Sequence, residues 1–238
     1  MATENMIRQS LSQFTADFYD KIITNQGDSL SNVFVSPLSI YTAMVMTMAG
    51  ADGKTKTEVE NTLRIPKQLL ATCPHQPIGT TLQTWQMLIV LPWDASGLPK
   101  VLSHLRKPGA LEDLLKKPFR ELKLDLFLPK FKLSQCAPVN AKALLQQCGI
   151  NSIFNPNGAD LTKLCNSRKL FVSDIFHKAI LEVDEEGATA AAATAVMMGV
   201  GCAMMTPVVR VNRPFIVALI CASTVPVFIG HVTHPESS

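Results

Sequence analysis

Two groups of residues have the types that nucleophilic or metal chemistry uses. Cys73 and His75 stand two apart in the stretch CPHQP and would supply half of a metal site. No matching C-x-x-C or H-x-x-x-H partner follows, so no bound metal is expected. Ser36 offers a hydroxyl ahead of an apolar run. No G-x-S-x-G surrounds it, and no His or Asp motif points to it. Its neighbour is Pro37, and Ser followed by Pro is how helices start, as N-cap and first helical position. The sequence has no Gly-rich phosphate loop, no paired catalytic carboxylates and no nucleophile–His spacing. The chain is therefore not expected to be an enzyme, and no cofactor is implied. Six cysteines (73, 136, 148, 165, 202 and 221) lie far apart without a short repeated spacing. They read as free thiols rather than as a disulfide framework.

The chemistry that does stand out belongs to residues 183–198, VDEEGATAAAATAVMM. Asp184, Glu185 and Glu186 run into Gly187, and the next eight residues are all Ala or Thr. Alanines bury little apolar area each, so the run suits a core poorly. A solvated linker would be richer in Gly, Ser and charge. Small unbranched side chains suit a segment that slides between bulkier neighbours, and Gly187 is free enough to act as a hinge. The segment is expected to be exposed and open to proteases, ahead of the rest of the chain.

The elements around it follow from periodicity. Ile7, Leu11, Phe14, Phe18 and Ile22 recur at helical steps, which predicts an amphipathic helix ending near Asn25 and Gly27. Val33, Phe34 and Val35 form a short buried strand, and from Ser36 a nearly all-apolar helix runs to Gly50. Thr55 and Glu58 have capping-box spacing for a further helix ending near Leu63. Residues 67–84 have no period and read as a loop. Residues 86–91 are a strand stopped by Pro92, and two short helices follow around Leu98–Leu105 and Leu111, Leu114 and Leu115. Leu122, Leu124, Leu126 and Leu128 alternate with Lys123, Asp125 and Phe127, a strand with one greasy face that Pro129 interrupts. Residues 140–148 form a helix closed by Gly149. Residues 176–183 are a strand feeding the small-residue run. Residues 214–221 and 225–232 pair as an antiparallel hairpin about Ala222-Ser223-Thr224.

Composition bounds the function classes. The chain has 238 residues, 47% hydrophobic and 17% charged, with a net charge of +3 spread without a polybasic run. Nucleic acid is therefore not an expected partner. The start, MATENMIRQSLSQF, has no apolar h-region, which points to a cytoplasmic protein or one secreted without a signal peptide. Residues 187–209 carry no charge and are long enough to span a bilayer. Their glycines, threonines, alanines and Pro207 make insertion weakly favourable at best, so no membrane span is expected.

Several motifs together resemble the serpin family. NVFVSPLSIYTAMVMTMAGADGKTKTEVENTL is similar to its helix B and helix C region, and MLIVLP to a strand of its sheet B. LDLFLPKFKL looks like the strand entering the edge of sheet A, and IFHKAILEVDEEG like the strand leading to the reactive loop. NRPFIVALICASTVPVFIGHVTHP matches the C-terminal signature, and the small-residue run with the start most resembles the ovalbumin-like intracellular branch. The resemblance covers residues 1–64 and 87–235 and implies one α+β serpin-like domain over 1–238, with helices packed on mixed or antiparallel sheets. It implies a serine-type, or cysteine-type, endopeptidase inhibitor with an exposed reactive-centre loop. The hinge would be Glu186, Gly187, Ala188, Thr189, Ala190, Ala191, Ala192 and Ala193. Counting fourteen residues from Gly187 puts the cleaved bond between Gly201 and Cys202. The partner would be a protease with a small or apolar primary pocket, since no Arg or Lys lies between Gly187 and Val209.

The same resemblance implies a gap. The family's helices D, E and F, and three neighbouring strands of sheet A, would fall at the junction 65–86, which is far too short for them. The family's trap works by inserting the cleaved hinge as a central strand of sheet A. A reduced sheet A is expected to impair it, and the exposed edges invite self-association. A non-inhibitory interaction protein or plain protease substrate is the alternative.

Overall fold

The computed structural model describes residues 2–27, 29–66, 85–107, 109–117, 119–133, 139–184, 206–222 and 225–234. Its centre is the hairpin of β9 (Phe215–Cys221) and β10 (Val225–Val232), antiparallel and broken in register between Pro226 and Phe228. β9 is a continuous apolar run and β10 is interrupted only at Gly230 and His231, the pattern of strands buried on two faces. β1 (Val33–Val35) pairs with the outer edge of β10, and β2 (Trp85–Val90) with the outer edge of β9, giving the order β1-β10-β9-β2. Gly230 is required where β1 crosses, because a Cβ there would lie 2.1 Å from the Val33 carbonyl oxygen.

One face of this sheet carries the helices. They are α1 (Ala2–Gln26), α2 (Pro37–Ala49), α3 (Gly53–Leu63), α4 (Leu98–Leu105), α5 (Ala110–Lys116) and α6 (Ala141–Gln147). Ile216, Ala218 and Ile220 of β9 meet Phe14, Phe18, Met44, Leu63, Leu102 and Leu145 in one buried cluster. The alternate residues Phe215 and Val217 join Phe34, Phe131, Leu133, Val211 and Val232 in a second cluster on the other face. The stripe of α1 is buried as expected from Leu11 to Ile22, while Ile7 is half exposed.

The remaining strands form three two-stranded ladders. β3 (Asp125–Phe127) runs parallel to β8 (Val208–Arg210). β4 (Phe131–Leu133) is antiparallel to β7 (Leu181–Val183), and β5 (Val139–Asn140) to β6 (Phe176–His177). Three sequence expectations are adjusted here. The strand expected over 176–183 keeps strict alternation of burial but pairs in two pieces. Its partner inserts extra residues, five between Leu133 and Val139 against three between His177 and Leu181. The greasy face expected over Leu122–Leu128 is exposed except at Leu128, which packs against the second cluster; 119–127 are all exposed, and only Asp125–Phe127 pair. The capping box of Thr55 and Glu58 does not form. Asp52 caps α3 through Gly53 N–H, Thr55 Oγ1 accepts from Asp160 N–H at 2.9 Å, and the Glu58 carboxylate accepts from Asn151 and Ser152.

A buried polar triad ties α1 to β10. His231 has no exposed surface; its Nδ1 lies 2.7 Å from the Tyr19 hydroxyl and its Nε2 3.1 Å from Gln26 Oε1. Burial pushes its pKa down to about 4, against a smaller upward pull from a hydrogen bond to the Ser31 backbone. The unfolded chain takes up this proton near 6.5, so folding stability is fully present above that pH and is lost as pH falls toward 4. We expect about 3 kcal/mol of destabilisation across that window in urea unfolding, and a flatter profile in His231→Gln. A profile that is the same in both proteins would contradict this.

Candidate functional site

The expected hinge residues Glu186, Gly187, Ala188, Thr189, Ala190, Ala191, Ala192 and Ala193, and the expected bond Gly201–Cys202, lie outside the described residues. The structure describes their two anchors. The chain approaches through β7 and Asp184 and returns through Thr206 and Pro207 into β8. One short segment holds both feet. β4 pairs with β7 on the approach, and β3 pairs with β8 on the return. The change of partner falls at Leu128-Pro129-Lys130. Proline has no N–H to give a ladder, so pairing is broken at Pro129 as the sequence predicts.

The approach is held mainly by packing. Leu181 and Val183 face the cluster of Phe131, Leu133 and Phe215. Between them Glu182 points outward and meets Lys132 of β4 at 3.0 Å, an exposed pair of small energetic weight. Beyond the β3–β8 ladder itself, the return is held by two flanking backbone bonds, Asp125 N–H to the Pro207 carbonyl and Val211 N–H to the Phe127 carbonyl, each 2.9 Å. The Arg210 guanidinium stacks 4.2 Å from the centre of the Phe127 ring. β7 has a partner on one edge only: among the described residues no strand lies along its other side.

Beneath the approach sits a serine–histidine contact that the sequence reading missed. His177 on β6 is buried, and its Nε2 accepts a hydrogen bond from the Ser36 backbone N–H at 2.8 Å. Burial holds its pKa below the ordinary value, in keeping with a neutral, accepting ring. The Ser36 hydroxyl donates to the Val227 carbonyl at 2.8 Å and accepts from Ser39 N–H at 3.2 Å. The imidazole therefore faces the serine's backbone, not its hydroxyl, and the pair is not a nucleophile and base. It locks the first turn of α2 against β6 and β10. Its one sequence signal was the position of His177 in phase with Ala179 and Leu181 on an alternating strand.

The described residues hold no group of three or more His, Cys, Asp or Glu placed to bind a metal ion. Cys148 is the half-buried thiol of the cleft between α1, α3 and α6, and burial pushes its pKa up to about 11, away from reactivity. Among the described residues no helix is long and apolar enough to cross a membrane.

Comparisons with known proteins agree with this architecture. The family model described as serpin (serine protease inhibitor) matches residues 9–85 and 81–235, and the chain belongs to the serpin family. A serine protease inhibitor of Cyanea capillata is 36% identical over 169 residues, 69% of this chain and 43% of that protein. Iris of Ixodes ricinus is 41% identical over 131 residues, 54% of this chain and 34% of that one. The chain thus spans between about a third and under half of the length of these curated relatives. Among solved structures, uncleaved ovalbumin superimposes with a TM-score of 0.72 at 12% identity, the alignment covering 96% of this chain and 100% of that one. The native stressed form of Arabidopsis AtSerpin1 gives 0.71 at 18% identity, covering 96% and 98%. These show an α+β serpin fold, and the ovalbumin-like branch is compatible with them. Serpins as a family are protease inhibitors rather than enzymes.

The Ser36 contacts yield a test. Ser36→Ala removes the α2 cap and the bond to Val227 together, and we expect a loss of about 1–3 kcal/mol in chemical denaturation. Ser36→Thr should retain most of it. An alanine variant as stable as the parent would show that neither bond matters.

Proposed function

We propose that this serpin presents residues 185–205 to proteases with small or apolar primary pockets and is cut there, without trapping them irreversibly. The observation that carries the reading is that β7 pairs along one edge only among the described residues. A hinge entering beside β7 gains that strand's bonds on one edge and needs another strand on its far edge to satisfy the rest. About one bond is forfeited per second inserted residue, each worth roughly 1 kcal/mol net, so an eight-residue hinge loses several kcal/mol. The outer face of the stretch leading into β7 supports the reading. Phe176 and Ile180 are 88% and 58% exposed, the state of a sheet face that lacks its covering layer. The same uncovered surfaces give the second reading, a non-inhibitory interaction protein that self-associates through its open sheet edges.

The loop chemistry selects the protease. Met198, Gly201, Cys202 and Met204 are the candidate contacts for its primary pocket, and no basic residue lies between 187 and 209. A trypsin-like pocket built around a buried carboxylate has nothing to pair with there.

Incubation with chymotrypsin-like, elastase-like and trypsin-like enzymes tests both statements. We expect a first cut within 187–206, near Gly201, by the first two, full recovery of protease activity, and no complex that survives boiling in detergent. A covalent band of chain plus protease would overturn the substrate reading. Rapid stoichiometric inhibition of the trypsin-like enzyme would overturn the pocket assignment.

A further inference from the structure

Residues 119–127, which end in the short strand β3, form the longest unbroken exposed run among the described residues. Leu122, Leu124 and Leu126 are 57%, 38% and 52% exposed, and every residue from 119 to 127 is exposed. Its backbone is half used. Asp125 N–H and Phe127 C=O both point to the β8 side, where they bond Pro207 and Val211. Backbone polar groups alternate sides along a strand, so the N–H and C=O of Leu124 and Leu126 point to the opposite, open edge. No described strand lies there. Open edges of this kind recruit another strand.

The sequence of the edge says which strand fits. Leu122-Lys123-Leu124-Asp125-Leu126 reads as its own complement when turned antiparallel about Leu124. Leu124 then faces Leu124 of the second copy across the twofold axis, and Leu122 faces Leu126. Lys123 faces Asp125, twice. The parity agrees: the residues whose backbone points outward, 122, 124 and 126, occupy the hydrogen-bonded positions. Lys123 and Asp125 fall in the non-hydrogen-bonded positions, where cross-strand side chains come closest. The leucines line one face, and the two ion pairs lie on the other beside the Phe127–Arg210 stack. The edge of β2 offers no such register, since Trp85–Val90 carries no charge.

We infer that a second copy of this chain docks on β3 through residues 122–126, antiparallel and centred on Leu124, joining the two β3–β8 ladders into one four-stranded sheet. This rests on the reading that open sheet edges drive self-association, and it names the edge, the partner and the register. The contact is isologous, so it closes at a dimer rather than growing into a fibre.

Sedimentation of the full chain tests it with charge reversals at two exposed residues, with circular dichroism confirming that the fold is kept. The parent should be a dimer. Lys123→Glu and Asp125→Lys each place two like pairs across the axis, and each should weaken the dimer at least about tenfold. The double variant, Lys123→Glu with Asp125→Lys, should regain it. An equimolar mixture of the two single variants should also regain it, because their strands are complementary to each other. A monomeric parent overturns the proposal. So does a dimer indifferent to both single reversals, which would leave general self-association standing through another edge. So does loss in the singles with no recovery in the double variant or the mixture.

Discussion

Everything in this fold hangs on one strand that is covered on both faces. β9 sends Ile216, Ala218 and Ile220 into the helical layer and Phe215 and Val217 into the layer of β4 and β7. A strand so placed satisfies its backbone only through neighbours on both edges, and it has them in β10 and β2. The helices need its one face to bury their stripes, and the β4–β7 ladder needs the other to pack Phe131 and Leu133. The sheet is therefore complete where it is central. Among the described residues β2, at the rim of this sheet, and β3 and β7, in ladders of their own, each pair along one edge only.

This division governs what the loop can do. Both feet of residues 185–205 are anchored in ordered ladders, and both ladders are drawn from the single segment 125–133 that switches partner at Pro129. Anchoring a loop at two ends against a packed layer presents it well. Receiving it into a sheet is a separate demand, and it needs a strand on each side of the vacancy. The chain meets the first demand through Leu181, Val183 and the Phe127–Arg210 stack, and among the described residues no strand stands beside β7 to meet the second. Presentation without reception is the physical content of the substrate reading.

Much of the scaffold was legible in the sequence because local signals agreed with global packing. Ser36-Pro37 started a helix, Gly149 closed one, Pro129 broke a ladder, and two apolar runs around a short turn made the central hairpin. The misreadings share a cause: each depended on a partner far away in the chain. Glu58 has capping-box spacing, but its carboxylate is taken by Asn151 and Ser152, more than ninety residues on. The leucines of 122–126 alternate as a buried strand would, yet alternation cannot tell a covered face from an exposed one. His177 gave no motif because its partner is a backbone N–H, which no side-chain pattern reports. For the hinge from Glu186 and for Gly201–Cys202, the structure supplies the anchors and the reading of the loop itself remains that of its sequence.

The central claim is that no slot beside β7 receives the loop. Thermal unfolding before and after a single cut near Gly201 measures this directly, because insertion as a paired strand must stabilise the product. The account predicts that the cut chain melts at or slightly below the temperature of the intact one. A cut chain that melts markedly higher would show that the loop has found partners on both sides, and would contradict it.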